Sequence, residues 1–164
     1  MKSTLWLAAC LCAAGYLGTA VAQDHDHAIG RNMDEMKFTA TPGLPDCARN
    51  AVLDGDPAKG PSIILGRISA GCTVPWHWHS PNEHLMMVSG RARVDTKQGK
   101  PILLEPGGFA KLPGRHLHEF RCLSDCVMYV QADGPFDIHY VDAKGTEIAP
   151  EAALKSVRAA AKRR

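Results

Sequence analysis

The sequence predicts an all-β fold, a double-stranded β-helix that ends in a short C-terminal α-helix. Between residues 62 and 141, short apolar and β-branched segments recur at regular spacing, and Gly or Pro residues separate them. Many short strands of this kind are typical of an antiparallel barrel or sandwich. No helical period appears before Pro150, where an Ala-rich segment with basic residues in its last turn predicts a helix.

The predicted strands follow a connecting region that is rich in turn residues. Residues 42–61 are rich in Pro, Gly and Asp, so we expect little regular structure there apart from a short strand at 51–53. Residues 36–41 predict a first strand, and residues 97–100, which include Gly99, predict a hairpin turn. Further strands are predicted across His77 and His79 and at residues 62–69, 83–88, 91–96, 101–104, 109–112, 116–121, 127–131 and 136–141.

The N-terminal residues predict export from the cytoplasm. Residues 1–22 combine a basic start, an apolar run and the small-residue cleavage site Ala20-Val21-Ala22, which are the features of a secretory signal peptide. We therefore expect a periplasmic or secreted protein with no stable membrane insertion after cleavage. The alternatives are a transmembrane anchor formed by the apolar run and a lipid attached to Cys10.

The rest of the chain is the length of one domain. The formal net charge of the whole chain is +2, and it falls to +1 when Lys2 leaves with the signal peptide, so there is no electrostatic reason to expect nucleic acid binding. The basic residues gather instead at the C-terminal end. The predicted segments are the signal peptide (1–22), a flexible terminus with alternating His and Asp (23–35), a β-barrel domain (36–148) and a basic C-terminal helix (149–164).

Four cysteines remain after the predicted signal peptide, and export would allow them to form disulfides. Cys122 and Cys126 flank a short turn, so a cross-hairpin disulfide is possible there, which would leave Cys47 and Cys72 as the second pair. The alternative is that these cysteines are free, buried thiols that act as small hydrophobic side chains. The sequence leaves both alternatives open.

Two histidines and a glutamate stand close together between Gly71 and Gly90. In a β-strand, alternate side chains share a face, so His77 and His79 point to the same side. Two imidazoles with a carboxylate a few residues later, at Glu83, are suitable ligands for a first-row transition metal. An ordinary surface hairpin is the alternative for an isolated His-x-His sequence, but a second histidine cluster downstream argues against it.

The second cluster lies between Gly107 and Cys122 and contains His116 and His118. The first segment, GCTVPWHWHSPNEHLMMVSG, resembles cupin motif one at each diagnostic position, and the second, GGFAKLPGRHLHEFRC, resembles cupin motif two with a departure. The family has Pro-x-Gly-x-x-His, whereas here Gly114 falls one place early and Arg115 occupies its usual position. Cys122 replaces the asparagine that often ends this motif. The resemblance covers about residues 60–141.

This resemblance implies a metal site, a small-molecule pocket and a homodimer. The implied ligands of one divalent transition metal ion (Fe, Mn, Cu, Ni or Zn) are His77, His79, Glu83 and His118, with His116 as the rival to His118. His84 and His139 are expected to lie outside the ligand set. Strand alternation and position suggest a pocket wall that includes Met87, Phe109, His116, Phe120 and Gln131.

Three functions are compatible with these residues. A metal-dependent, dioxygenase-like oxidoreductase would act on a small enol, diketone or phenol, with Glu83 as a general base if it left the metal. A non-enzymatic periplasmic module would bind a metal or a small ligand. A cupin isomerase is the third possibility, but it would be expected to have more charged pocket residues. The fold cannot choose among them, because one fold supports many activities.

Overall fold

The computed structural model describes residues 28–161, except for the side chains of Ser156 and of residues 158–161. The predicted signal peptide and residues 23–27 therefore lie outside the described residues. Within the described part, no helix is long and apolar enough to cross a membrane. The chain divides after Arg31 into two units. The second unit, residues 32–164, contains all the helices and strands of the described residues.

A short 3₁₀ helix (Met33–Glu35) precedes a series of eleven strands and one α-helix. These elements are β1 (Ala48–Gly55), β2 (Ser62–Ile68), β3 (Thr73–Trp78), β4 (Glu83–Ser89), β5 (Ala92–Thr96), β6 (Ile102–Leu104), β7 (Phe109–Leu112), β8 (His118–Cys122), β9 (Cys126–Ala132), β10 (His139–Val141), β11 (Glu147–Ile148) and α1 (Pro150–Ala161).

The strands form two antiparallel sheets. One sheet has the order β1-β2-β9-β4-β7, and the other has the order β11-β10-β3-β8-β5-β6. From β2 to β10 the chain passes repeatedly from one sheet to the other, so that strands adjacent in sequence, such as β3 and β4, lie in different sheets. This crossing pattern is that of a jelly roll, and the prediction of an all-β fold with a short C-terminal helix is confirmed.

The core lies between the two sheets and follows the alternation of the strands. Leu85 and Met87 in β4, and Phe120 and Cys122 in β8, are all buried, as the two-residue period of a strand requires. Val94 in β5 is fully buried beside them. Interleaved apolar side chains from both sheets therefore fill the space between them.

The N-terminal part of the domain differs from the prediction. Residues 36–41 form no strand. Within them, only Thr39 forms a β-bridge, through a pair of backbone hydrogen bonds with Asn50 of β1. β1 is instead longer than the predicted strand at 51–53, because it pairs with β2 along its whole length. At the other end, β10 begins only at His139 and pairs with the unpredicted strand β11.

One pair of cysteines forms a disulfide, and the other pair consists of free thiols. Cys47 and Cys72 form a disulfide, whereas Cys122 and Cys126 are free and buried, so the disulfide suggested across their hairpin is wrong. The Cys126 thiol lies 3.2 Å from the backbone carbonyl oxygens of both Arg91 and Ser124 and hydrogen-bonds there. Burial raises the pKa of the Cys122 and Cys126 thiols, which favours the protonated form.

Candidate metal centre

The ends of three strands bring the predicted ligands together. His77 near the end of β3 lies directly opposite His118 at the start of β8, because a bulge between Val74 and His77 shifts the register of this pair. His79 follows β3, and Glu83 begins β4 in the facing sheet. All four side chains are buried.

The departure in the second motif has a local structural explanation. Arg115 has a φ of 63°, the left-handed conformation that glycine adopts with least strain. A side chain at Gly114 would collide with the backbone of Ser80, so glycine is needed one position earlier than usual. The N–H of Arg115 donates to the carbonyl oxygen of His79 at 2.7 Å, which fastens this loop to the ligand segment.

All three imidazoles present the same nitrogen to the centre. The Nδ1–H of His77 donates to the Pro75 carbonyl oxygen at 2.6 Å, and that of His118 donates to the His116 carbonyl oxygen at 2.9 Å. The Nδ1–H of His79 donates to the carbonyl oxygen of Asp137. Since a carbonyl can only accept, Nδ1 carries the proton and the lone pair of each Nε2 is available as a ligand.

The three histidine nitrogens lie close enough together to share one ion, and the Glu83 carboxylate lies beside two of them. The ligand nitrogens of His77, His79 and His118 lie within 4.8 Å of one another. The Glu83 carboxylate is 3.6 Å from Nε2 of His79 and 3.5 Å from Nε2 of His118. Ligands about 2.1 Å from a common ion are themselves about 3–3.4 Å apart, so a small closure of the cluster would complete the coordination.

The charge of the cluster also favours a cation. Burial lowers the pKa of both His77 and His79, which favours the neutral forms of these imidazoles. Burial opposes ionisation of Glu83, but the neighbouring His79 and His118 outweigh it and lower the pKa of the carboxyl group. Nε2 of His79 is buried without a hydrogen-bond partner among the described residues. A buried anionic group beside an unused lone pair fits a bound divalent ion.

A cavity of about 580 Å³ opens beside the cluster, a size typical of small-molecule sites. The four buried ligand side chains and Phe120 contribute to its lining, as predicted for Phe120. Most of the other lining side chains are apolar. They come from the inner faces of the strands (Ala48, Val52, Ile64, Ile68, Val74, Leu85, Met128 and Val130) and from connecting segments (Ala40, Pro42, Leu44, Pro57, Ala58 and Phe136).

The other four residues predicted for the pocket wall do not line this cavity, and two of them lie on the outside of the five-stranded sheet. Phe109 alternates with the buried Ala110 and Leu112, so its side chain points outward and is 59% exposed. Gln131 precedes the buried Ala132 and pairs with His84, so it also lies on the outer face. The prediction assumed an inward direction for Phe109, which the actual strand phase reverses. It placed Gln131 at the pocket rim because that residue is near a strand end, but its side chain faces away from the cavity.

Met87 and His116 lie outside the cavity for different reasons. Met87 points inward, but Leu85 lies between it and Glu83, so Met87 belongs to the core below the cavity. His116 precedes β8 and lies in a turn, where its N–H donates to the carbonyl of Pro113 at 3.0 Å. Alternation from His118 therefore does not apply to His116, which lines a separate surface cavity of about 210 Å³.

The histidines expected to be outside the ligand set are outside it. His84 faces the outer side of β4 and stacks on Phe109, with ring centroids 5.8 Å apart. His139 stacks on Trp78 at 3.8 Å and lies between the carboxylates of Asp137 and Glu147.

Two further parts of the site were not predicted from the sequence. The backbone carbonyl of Asp137 orients His79, and the Phe136 ring packs against the same imidazole at 4.5 Å. Residues 37–44 form one wall of the cavity instead of a strand. A main-chain acceptor carries no residue signature, and only the turn-rich composition of the following residues could have suggested that the chain crosses the barrel opening here.

The fold and the site define a jelly-roll barrel with a cluster of three histidines and one glutamate at one end. The family model described as "Cupin domain" matches residues 65–131, which include all four clustered residues. The chain belongs to the cupin superfamily. No curated protein sequence matches it.

Solved structures support the same assignment. An RmlC-like cupin protein from Ralstonia eutropha JMP134 is 16% identical, with 81% of this chain and 86% of that one covered and a TM-score of 0.58. A putative acetylacetone dioxygenase from Methylibium petroleiphilum PM1 is 18% identical over 76% and 90% of the two chains, with a TM-score of 0.56. The DMSP lyase DddQ from Ruegeria pomeroyi DSS-3 is 20% identical over 60% and 56%, with a TM-score of 0.52.

These similarities concern the fold. The chain spans little more than half the length of the lyase, and the structures compared with it have different stated activities. A common jelly roll does not carry a common reaction. The function must therefore be argued from the cluster and its cavity.

Proposed function

We propose that the protein is a metal-dependent, dioxygenase-like oxidoreductase that acts on a small organic molecule. The observation that carries this proposal is that the metal-ligand cluster and the cavity adjoin each other. A buried, net anionic set of four donors opens directly onto a largely apolar cavity of about 580 Å³. A substrate in the cavity would therefore lie against the metal ligands.

In this proposal His77, His79, Glu83 and His118 hold one divalent ion of Fe, Mn, Cu, Ni or Zn. When bound, such an ion supplies Lewis acidity and, for the redox-active metals, the means of reacting with oxygen. Three neutral imidazoles and one carboxylate suit these metals better than Ca²⁺ or Mg²⁺, which prefer oxygen ligands.

The protein side chains have separate tasks in the reaction. The carbonyls of Pro75, His116 and Asp137 fix the tautomers of the three imidazoles. Leu85, Phe120 and Met128 exclude water from the floor of the cavity. The lowered pKa of Glu83 favours its carboxylate form, in which one oxygen can accept the proton of an enol or phenol hydroxyl group.

Metal content and oxygen uptake test this function together. Protein purified without added metal should contain close to one equivalent of a transition metal by elemental analysis. It should consume oxygen with at least one member of a panel of enols, diketones and phenols. His118→Ala should lower both values strongly, because it removes a buried ligand. His116→Ala is the matched control and should retain both, because its side chain faces a different cavity.

Two results would contradict the proposal in different ways. Correctly folded protein that binds no transition metal, even when metal is supplied, would reject the metal centre. Metal-loaded protein that consumes no oxygen with any compound of a broad panel would reject the oxidoreductase while leaving the metal centre intact.

A non-enzymatic metal- or ligand-binding cupin is the alternative that one observation favours. Apart from the clustered histidines and Glu83, Lys37 is the one ionisable side chain among the described residues that line the cavity. The cavity thus offers few groups for proton transfer outside the cluster. Turnover of any substrate that is lost in His77→Ala would exclude this alternative.

Export and a homodimer remain proposals. The Cys47–Cys72 disulfide supports export, because disulfides persist chiefly in oxidising compartments. The N-terminus of the mature protein should then be Gln23. The homodimer rests on the cupin resemblance alone.

A further inference from the structure

The polarity of the cavity changes with depth. At its floor lie the buried donors of the cluster, and above them the walls are formed by aliphatic side chains such as Ile64, Ile68 and Val130. Exposed residues line the mouth, including Lys37 and Val52. The charged groups of the lining are therefore the cluster at the floor and Lys37 at the mouth. Most of the other lining side chains are apolar, and Thr39, Thr41 and Asn50 are the uncharged polar ones among the described residues.

The mouth is formed in part by an anchored segment, residues 37–44. Thr39 is held by its backbone bridge to Asn50, whose side-chain amide donates to the hydroxyl of Thr41 at 2.9 Å. The hydroxyl of Tyr140 donates to the carbonyl oxygen of Gly43 at 2.8 Å. These contacts fix the backbone that carries Lys37 beside the opening.

Lys37 is the one lysine or arginine among the described residues that line the cavity, and Glu83 is the one acidic side chain. Lys37 makes no ion pair with a described residue. Glu83 is engaged at the floor with His79 and His118. An anionic group at the mouth would thus meet a cation with no competing carboxylate from the cavity lining.

The walls exclude several classes of ligand. A sugar or a nucleotide has polar groups along its whole length, and most of these would face aliphatic side chains. Burying hydroxyl or phosphate groups without hydrogen-bond partners costs free energy. The walls instead match a hydrocarbon chain or an aryl group.

We infer that the ligand of this cavity has an oxygen-chelating head, an apolar body and a terminal carboxylate, with the head at the metal cluster and the carboxylate beside Lys37. This inference rests on the proposed metal-dependent function and specifies its substrate class. Its three parts correspond to the floor, the walls and the mouth of the cavity, and each can be tested separately.

Hydroxamic acids provide the test, because they chelate Zn²⁺ without redox chemistry. Zn²⁺-loaded protein is titrated calorimetrically with acetohydroxamate, butyrohydroxamate, hexanohydroxamate and octanohydroxamate, and with suberic monohydroxamate, which carries a terminal carboxylate. The same titrations are made with Lys37→Gln and with Lys111→Gln. Lys111 lies on β7 and does not line the cavity, so its variant controls for the loss of one surface charge. Metal-depleted wild-type protein is the blank.

The affinity should rise roughly three- to fourfold with each added methylene group while the chain remains within the cavity. The ratio of the affinities for suberic monohydroxamate and octanohydroxamate should fall about two- to fivefold in Lys37→Gln, the range expected for an exposed ion pair. The ratio should not change in Lys111→Gln.

The failures are distinguishable. Metal-dependent binding of acetohydroxamate with no gain from a longer chain would overturn the apolar body and leave the metal centre standing. An unchanged carboxylate ratio in Lys37→Gln would overturn the role of Lys37. If the protein bound no Zn²⁺, or bound acetohydroxamate equally without the metal, the proposed function itself would fail.

Discussion

The three histidines of the cluster are oriented in two different ways. His77 and His118 each donate to the carbonyl oxygen of the residue two positions earlier, Pro75 and His116, so the local chain sets the direction of the ring. His79 donates to Asp137, which is 58 residues away in sequence. Two ligands are thus oriented locally, and the third depends on tertiary structure.

The distant partner of His79 belongs to a small network. The Asp137 carboxylate accepts the backbone N–H of Ser80 at 2.7 Å and lies 3.2 Å from the His139 ring. His139 also hydrogen-bonds Glu147 at 2.7 Å, and its ring stacks on Trp78. This comparison indicates that the segment before β10 positions one ligand without contributing a ligand of its own.

Asp137→Ala tests the distant contact of His79 and should have the largest effect of the substitutions in this network. It removes the carboxylate that holds Ser80, so the carbonyl that orients His79 loses its fixed position. Loss of such supporting contacts typically costs 10–100-fold in metal affinity. We expect Zn²⁺ affinity, measured by competition with a chelator, to fall in this range while the local bonds of His77 and His118 remain.

Asp142→Ala is the matched control, since its carboxylate likewise accepts backbone N–H groups, those of Lys144 and Thr146, in a turn that includes no ligand. It should leave Zn²⁺ affinity unchanged. Equal affinities of wild-type protein and Asp137→Ala would show that His79 needs no support from the distant segment, and the contrast between the two kinds of ligand would disappear.

The same distinction between local and distant contacts separates what the sequence could predict from what it could not. His77 and His79 share a face because of the strand period, and alternation correctly predicted the burial of Leu85 and Phe120. Alternation failed for His116, because that residue precedes the strand.

The contact between Asp137 and His79 could not be predicted in any comparable way. It joins a backbone atom to a ring at the ends of the neighbouring strands β10 and β3, which are far apart in sequence, and neither residue type requires the other. The path of residues 37–44 past the cavity was missed for a similar reason. Its anchors, Asn50 and Tyr140, come from different strands and act through long-range hydrogen bonds.

Substitution of His139, which is further from the ligands than Asp137, should have the smallest effect, and that effect should depend on pH. Partial burial opposes the charged form of His139, but Glu147 and Asp137 outweigh it and raise the pKa of the imidazole. A raised pKa in the folded state stabilises the protein below the unfolded value, about 6.5, and this stabilisation is lost as the pH rises through the folded value. His139→Gln should therefore lower the free energy of unfolding more at pH 5.5 than at pH 8.5.

The difference should stay below about 1 kcal/mol, because the pairs that His139 forms are partly exposed to solvent. Denaturant unfolding of the metal-free protein at the two pH values measures it without a contribution from metal binding. Metal content at neutral pH should remain that of the wild type, since His139 forms no hydrogen bond or ion pair with any of the four clustered side chains. A loss of metal in His139→Gln as large as that in Asp137→Ala would instead mean that the whole network, out to Glu147, fixes the direction of His79.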